Sequence, residues 1–462
     1  MKVRFHIVAV AGALTLATMG GAAAGLPESY VRIWRDPAAL QRIDGNIEQY
    51  RKGEAVIEVV DAAGRPVPDA PLVIAQQRHE FLFGCNLFAL EQLATPELNR
   101  KYEAAFTNLF NCATVPFYWK ELEPREGQPR FAADSPRIWR RPPPDRLVAW
   151  CRANGITPKG HALMYVKNMF MPDWTRRDDA EAFRRQGAAH LAGIAARYGR
   201  DIQLWDAVNE ELPRLDNLAE WHAVPADFLP WCFEEAGRLF PPEARLMIND
   251  GTDQAHVTTS RYAGIVKGLQ ERGVRVGGIG MQFHVYHRAA MLAGTQYPRG
   301  QLEGAYAKLG LLGLPLYITE ITIPGTGGDG PELQAAIVAD LYRLWFSTKP
   351  MAGVTWWNLG DGTAFEDENK MLGGLLDQGM EPKPAYAALD RLINHEWKTS
   401  ATLRTDAGGK AHFRGFHGSY AIQVAAGGVV QTLPFVLKSG LDTNRATLTV
   451  PIGPSSREAP QP

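Results

Sequence analysis

From His79 onward the chain alternates short apolar runs with helix-length amphipathic segments, and it does so eight times. The apolar runs cover 81–85, 112–118, 156–163, 202–209, 245–250, 276–284, 316–321 and 353–359. The segments between and after them, 96–109, 144–153, 179–198, 227–240, 255–272, 299–312, 331–347 and 384–394, repeat apolar positions at helical spacing. Runs that are apolar almost throughout suit strands covered on both faces. Eight such units predict a (β/α)8 barrel, whose functional groups gather at the C-terminal ends of the strands. A doubly wound sheet also alternates, but no Gly-x-Gly-x-x-Gly turn follows the first strand.

The flanks follow another rule. Residues 25–52 read as a lead-in with a helix over 38–50, and 54–60 and 70–75 read as strands around the turn Ala63-Gly-Arg-Pro66. After Trp397 the helical period stops, and 402–405, 411–416, 419–424, 432–437 and 446–450 read as five short strands between Gly-rich turns. An N-terminal hairpin alone would be marginal in water. The two ends are therefore expected to join in one accessory β-sandwich, 25–78 with 398–452, around a barrel domain at 79–397, with a tail at 453–462. Phe413, Phe416, Tyr420 and Phe435 are few enough to be the sandwich's own core. A structural brace is thus expected rather than a carbohydrate-binding module.

Composition narrows the class. The 462 residues are 45% hydrophobic and 21% charged with net charge −1, ordinary globular material that offers nothing to nucleic acid. Twelve Trp, 14 Tyr and 19 Phe are often core material, but flat rings also suit the pyranose faces in a sugar-binding cleft. Lys2 and Arg4, the uncharged run 7–19 and Ala22-Ala23-Ala24 predict a signal peptide over 1–24. A secreted or periplasmic protein is expected, free of the membrane after cleavage. Cys85, Cys112, Cys151 and Cys232 show no C-x-x-C spacing. A Cys85–Cys112 bond between neighbouring strands and buried free thiols both remain open.

Two strands end in glutamate. The run 202–208 stops at Asn209-Glu210-Glu211, and Leu314-Pro-Leu-Tyr-Ile-Thr319 runs into Glu320. A carboxylate at the end of a buried strand is costly unless something uses it. Alone, either glutamate equally well pairs a loop arginine or caps the next helix. Together they could flank a glycosidic bond, one as acid and one as nucleophile. Asn209 sits beside the first. His284 ends the strand next to Glu320 and could hold it ionised. Trp357 on the eighth strand could floor a sugar ring, and His161 and Tyr165 end the third.

These motifs resemble glycoside hydrolase family 10, the retaining endo-β-1,4-xylanase family. The likeness lies in Trp205-Asp-Ala-Val-Asn-Glu210, Gly278-Ile-Gly-Met-Gln-Phe-His284, Ile318-Thr-Glu-Ile321, Gly160-His161-Ala-Leu163, Trp119 with Glu123-Pro124-x-x-Gly127, and Leu375 to Tyr386. The resemblance implies Glu210 as acid/base and Glu320 as nucleophile. It implies that Asn209 contacts a 2-hydroxyl, that Gln282 and His284 support the nucleophile, and that Trp357 lines the cleavage subsite. His161, Tyr165, Tyr118 and Trp119 complete the expected substrate-binding set.

Several positions depart from the family's pattern. Its Glu-Asn pair and Lys near the second strand end are replaced in the stretch Val115-Pro-Phe-Tyr118, its Trp-His after strand three by Tyr165-Val166, and its Asp after the nucleophile by Thr322. The expected activity is retaining hydrolysis of β-1,4-xylan-type polysaccharide or oligosaccharide from plant cell walls, by a monomer. Another β-linked glycoside, or silent carbohydrate binding, are the alternatives. No cofactor is expected, and no metal. His284-x-x-His287 with His161 lacks the His-x-His on strand one that metal-using barrel hydrolases generally carry. Trp174 and Trp221 read equally as core or cleft lining. Asp361, Glu366, Asp367 and Glu368 read as a solvated loop, with the rim of the cleft as the second reading.

Overall fold

The computed structural model describes residues 25–176, 179–426 and 429–451, so the leader and tail expected at 1–24 and 453–462 lie outside it. Two strands precede the barrel, β1 (Lys52–Val60) and β2 (Pro71–His79). The barrel strands are β3 (Leu82–Asn86), β4 (Cys112–Pro116), β5 (Thr157–Met164), β6 (Leu204–Asn209), β7 (Arg245–Asp250), β8 (Gly278–His284), β9 (Leu316–Thr322) and β10 (Met351–Trp356). They close in chain order, β10 pairing β3, with every neighbour parallel. β4, β6, β8 and β9 are buried at every position, as expected of strands covered by side chains within and helices without.

One expected helix is broken, and two polar groups explain the break. The helix expected over 255–272 is two, Thr252–His256 and Thr259–Glu271. His256 is drawn inward, its Nε2 on the Gln282 carbonyl at 3.2 Å. Thr259 Oγ1 turns back to the Ala255 carbonyl at 2.8 Å, closing the break. The first piece is thereby fastened to the strand that carries Gln282.

The two ends of the chain build two facing sheets. β1 lies between β12 (Lys410–Phe416) and β15 (Thr443–Thr449). β2 lies between β11 (Ser400–Arg404) and β13 (Gly418–Ala426), with β14 (Val429–Leu437) outside β13. Inward positions two apart, Ile57 and Val59, Leu72 and Ile74, Ile422 and Val424, form the core between the sheets. Phe413, Tyr420 and Phe435 belong to that core as well.

An aromatic knot fastens this sandwich to the barrel. Phe346, on the helix Gly330–Ser347, stacks on Trp397 at 4.3 Å and meets Phe81 at 5.0 Å and Phe416 at 5.9 Å. Phe346→Ala is expected to cost about 3–5 kcal/mol, because the ring is buried on all sides. Urea denaturation followed by tryptophan fluorescence would read it. A loss under about 1 kcal/mol would mean the knot is not a principal joint.

All four cysteines are buried free thiols. Cys85 and Cys112 do lie on adjacent strands, each opposite the other's neighbour rather than the other. Among the described residues no helix is long and apolar enough to cross a membrane.

Candidate active site

β6, β7, β8 and β9 deliver their last polar residues to one mouth. Glu320, on β9, is 4% exposed. Its Oε1 accepts from Asn249 Nδ2 at 3.0 Å and Gln282 Nε2 at 3.3 Å, and His284 Nε2 lies 3.0 Å from Oε2. His284 Nδ1 meets Thr322 Oγ1 at 2.9 Å, so the position that departs from the family's Asp still fixes the imidazole. His161 Nε2 is 4.0 Å from Glu320 Oε1. Behind it His161 Nδ1 meets Asp206 Oδ2 at 2.7 Å, and Lys159 pairs with the same carboxylate.

Burial alone would push Glu320 up, but the His284 hydrogen bond and the charges of His161, His284 and Lys159 outweigh it, holding the carboxyl below its ordinary value. Burial likewise opposes the His284 charge, and the bond and charge of Glu320 overcome it, raising His284. The two shifts bound a pH window. A lowered carboxyl stabilises the fold above its unfolded value, about 4.3, and that contribution is lost as pH falls through the folded value. A raised histidine stabilises it below about 6.5, and that contribution is lost as pH rises through the folded value. His284→Asn is therefore expected to move the acid limb of kcat/KM to higher pH, since burial then acts on Glu320 with less opposition. An unmoved limb in the pH–rate profile would show that His284 does not set the ionisation of Glu320.

Glu210 follows β6 directly, in the left-handed region at φ 58°, ψ 52°. That conformation costs a non-glycine residue about 1–2 kcal/mol. It is held by the Glu210 N–H on the Asn249 carbonyl at 2.9 Å. Gln282 Nε2 donates to Glu210 Oε1 at 3.1 Å as well as to Glu320, one amide nitrogen serving both carboxyls. Asn249 Nδ2 likewise donates to Asn209 Oδ1 at 2.7 Å. Glu211, the other carboxylate at this strand end, is taken by Arg214 through two bonds of 2.8 and 2.6 Å.

The expected aromatic residues divide. Trp357, one residue past β10, sets its edge on Phe88 and His161 at 5.3 Å each. Tyr118 meets His161 at 5.4 Å and Phe170 at 4.9 Å. Tyr165 packs on Phe170 at 4.7 Å and Trp221 at 5.9 Å. Burial first, then the Glu210 charge and a hydrogen bond to it, push the Tyr165 hydroxyl well above its usual range. Trp119 is not part of this wall. Its indole donates to Glu123 Oε2 at 2.9 Å and stacks on His190 at 4.3 Å, in the packing behind the cleft. Trp174 joins Trp119 there, donating to the Glu123 carbonyl at 2.9 Å. Trp221 is buried against Tyr165 and thus reaches the wall. In the acidic loop Asp361 is buried and paired with Lys383 at 3.1 Å, whereas Glu366 and Asp367 are exposed.

Asn249 and Asp250 were not singled out, although β7 ends on them as β6 ends on Asn209-Glu210. Asp250 Oδ2 accepts the Leu212 N–H at 3.1 Å and Oδ1 the Gly251 N–H at 2.9 Å, bracing the turn behind Glu210. Burial pushes its carboxyl up to about 8 against the pull of those two bonds. Phe88 and Phe170 also escaped, because isolated aromatics in loops carry no periodicity.

The site thus holds an ionised, buried carboxylate and a second, more open carboxyl on one bridging amide, beside an aromatic wall. Comparison with known proteins bears on what such a site does. The model of the family described as glycosyl hydrolase family 10 matches residues 78–391. An anti-sigma-I factor, RsgI6 of Acetivibrio thermocellus, is 26% identical over 84% of the chain and 47% of its own length. Endo-1,4-beta-xylanase A of Cellvibrio japonicus is 26% identical over 52% of the chain and 45% of its own. The chain thus spans under half the length of either relative. Among solved structures, xylanase 10B from Thermotoga petrophila in complex with xylobiose superposes with a TM-score of 0.57 at 22% identity, over 69% of this chain and 95% of that one.

Proposed function

Since the chain belongs to glycosyl hydrolase family 10, we propose that it is a retaining β-glycoside hydrolase acting on xylan-type chains or their oligosaccharides. The observation that carries the reading is the shared amide of Gln282. One nitrogen at 3.1 and 3.3 Å from Glu210 and Glu320 keeps those two oxygens within the two distances laid end to end. As an upper limit this admits the about 5–5.5 Å of a retaining pair and falls short of the about 6.5–9.5 Å that an inverting pair keeps for a water.

Glu320, kept ionised by His284, attacks the anomeric carbon while Glu210 donates a proton to the leaving oxygen. A glycosyl ester on Glu320 results. Glu210, now a carboxylate, takes a proton from water, which displaces Glu320 and releases the sugar with its configuration retained. Asn209 supports the reading from the side. Its Oδ1 is engaged by Asn249, and its amide nitrogen makes no hydrogen bond among the described residues, which leaves it for a sugar hydroxyl. The leader expected at 1–24 from its sequence supports export to the periplasm or medium, and the protein is proposed to work there as a monomer.

Val115, Tyr118, Tyr165-Val166 and Thr322 favour a second reading of the substrate, a β-glycoside other than xylan cleaved by the same pair. Proton NMR of fresh digests of aryl β-xylobioside and β-glucoside tests both readings. The β-anomer appearing first on xylobioside supports the proposal, and turnover of the glucoside alone supports the second. First appearance of the α-anomer overturns retention.

A further inference from the structure

Two consecutive arginines lie beside the aromatic wall, in the connection after β4. Arg140 is 4% exposed and Arg141 8%. The Arg141 guanidinium lies 3.8 Å from the Tyr118 ring centre, and both guanidiniums lie over Phe88, at 5.3 and 5.6 Å. Those rings are the ones that touch the reaction centre, Tyr118 on His161 and Phe88 on Trp357.

Neither charge is well matched. Arg140 Nη1 donates to neutral oxygens only, the Asn358 Oδ1 at 2.7 Å and the Thr363 carbonyl. Among the described residues no carboxylate lies within ion-pair distance of it. Glu368 is held off by Asn358, whose Nδ2 reaches it at 3.4 Å. Arg141 Nη1 donates to the Arg140 carbonyl at 2.9 Å, and its Nε stands 3.7 Å from Glu121, beyond hydrogen-bond length. The Nε of both is buried without a partner. Burial, and next the Arg141 charge, push Arg140 down to about 10. A buried arginine without a carboxylate partner is costly, and more so beside a second whose one carboxylate, Glu121, stands 3.7 Å away, unless a further anion joins them.

We propose that Arg140 and Arg141 form a carboxylate-binding site on the glycone side of the cleft, so that the sugar attacked by Glu320, or its non-reducing neighbour, is a uronic acid. The planar guanidinium matches a carboxylate through paired N–H donors, and stacking on Tyr118 holds Arg141 oriented for it. This rests on the hydrolase reading above and names its substrate class. It also accounts for Tyr118 in the stretch that departs from the family's pattern: the ring here seats an arginine.

The test compares 4-nitrophenyl β-D-glucuronide with the β-D-glucoside, and 4-nitrophenyl β-xylobioside with the analogue in which glucuronic acid replaces its non-reducing xylose. The readout is the ratio of kcat/KM, acidic over neutral, in wild type, Arg140→Gln, Arg141→Gln and Arg141→Lys. The ratio is expected above ten for at least one pair, to fall at least ten-fold in both Gln variants and to be partly kept by Arg141→Lys. Glu320-dependent cleavage with a ratio near one, or a ratio unmoved by either Gln variant, overturns the proposal and leaves the hydrolase reading intact. Calorimetry of wild type with D-glucuronate and with D-glucose separates the two ideas. If no glycoside is cleaved but glucuronate binds and Arg141→Gln abolishes it, the acid site stands and the hydrolase reading falls. If neither occurs, both fall.

Discussion

Glu320→Ala is expected to lower kcat by roughly 10⁴–10⁶-fold, the scale on which removal of a covalent nucleophile acts. The loss follows from its surroundings. Three donors, from Asn249, Gln282 and His284, converge on this one carboxylate, and none is placed to attack in its stead. Azide is expected to restore part of the rate, because a small anion fits where the carboxylate stood. The product would be the α-glycosyl azide, since a single displacement inverts the centre. The donors left without an acceptor should also cost about 1–3 kcal/mol of stability, so a melting curve accompanies the kinetics. Retention of full activity would remove Glu320 from the mechanism.

Glu210→Gln separates the two steps. On substrates with a poor leaving group, kcat/KM should fall about 10²–10⁴-fold, because the proton donor is gone. On 2,4-dinitrophenyl glycosides the first step needs no proton, so glycosylation of Glu320 should proceed. The second step still lacks its base, and the glycosyl-enzyme should accumulate to a level visible by intact-protein mass spectrometry. The amide keeps an oxygen for Gln282 and the same backbone, so the turn at φ 58° should persist. Equal loss on both classes of leaving group would assign Glu210 a structural role instead.

The barrel was legible because each strand is an apolar run long enough to be seen and each helix repeats its apolar face. Glu210 and Glu320 were legible because a charged residue ending such a run is an anomaly. Asn249 and Asp250 end β7 in the same way, yet an amide beside a carboxylate reads as an ordinary turn. Only the closed barrel brings Asn249 between Asn209 and Glu320. Arg140 and Arg141 were hidden more deeply. They open the stretch Arg-Arg-Pro-Pro-Pro, which reads as a Pro-rich connection, and their burial depends on Phe88 past the end of β3, Tyr118 past the end of β4 and Asn358 past the end of β10. Trp119 is the opposite case. Its motif is that of the family, but its indole serves Glu123 and not the cleft.

The placing of β1 between β12 and β15, and of β2 between β11 and β13, has a consequence for biogenesis. A chain emerging from the ribosome offers β1 and β2 first, and the strands that flank them last. For the whole length of the barrel both are bare edges, the form in which strands most readily join the wrong partner. The barrel can close behind them, but the clasp shuts only when the final strands arrive. Truncations before β12 are therefore expected to yield inclusion bodies more readily than a soluble enzyme shorn of an appendage. This fold cannot shed its accessory layer as a detachable module, because β1 and β15, the first and last described strands, belong to one sheet.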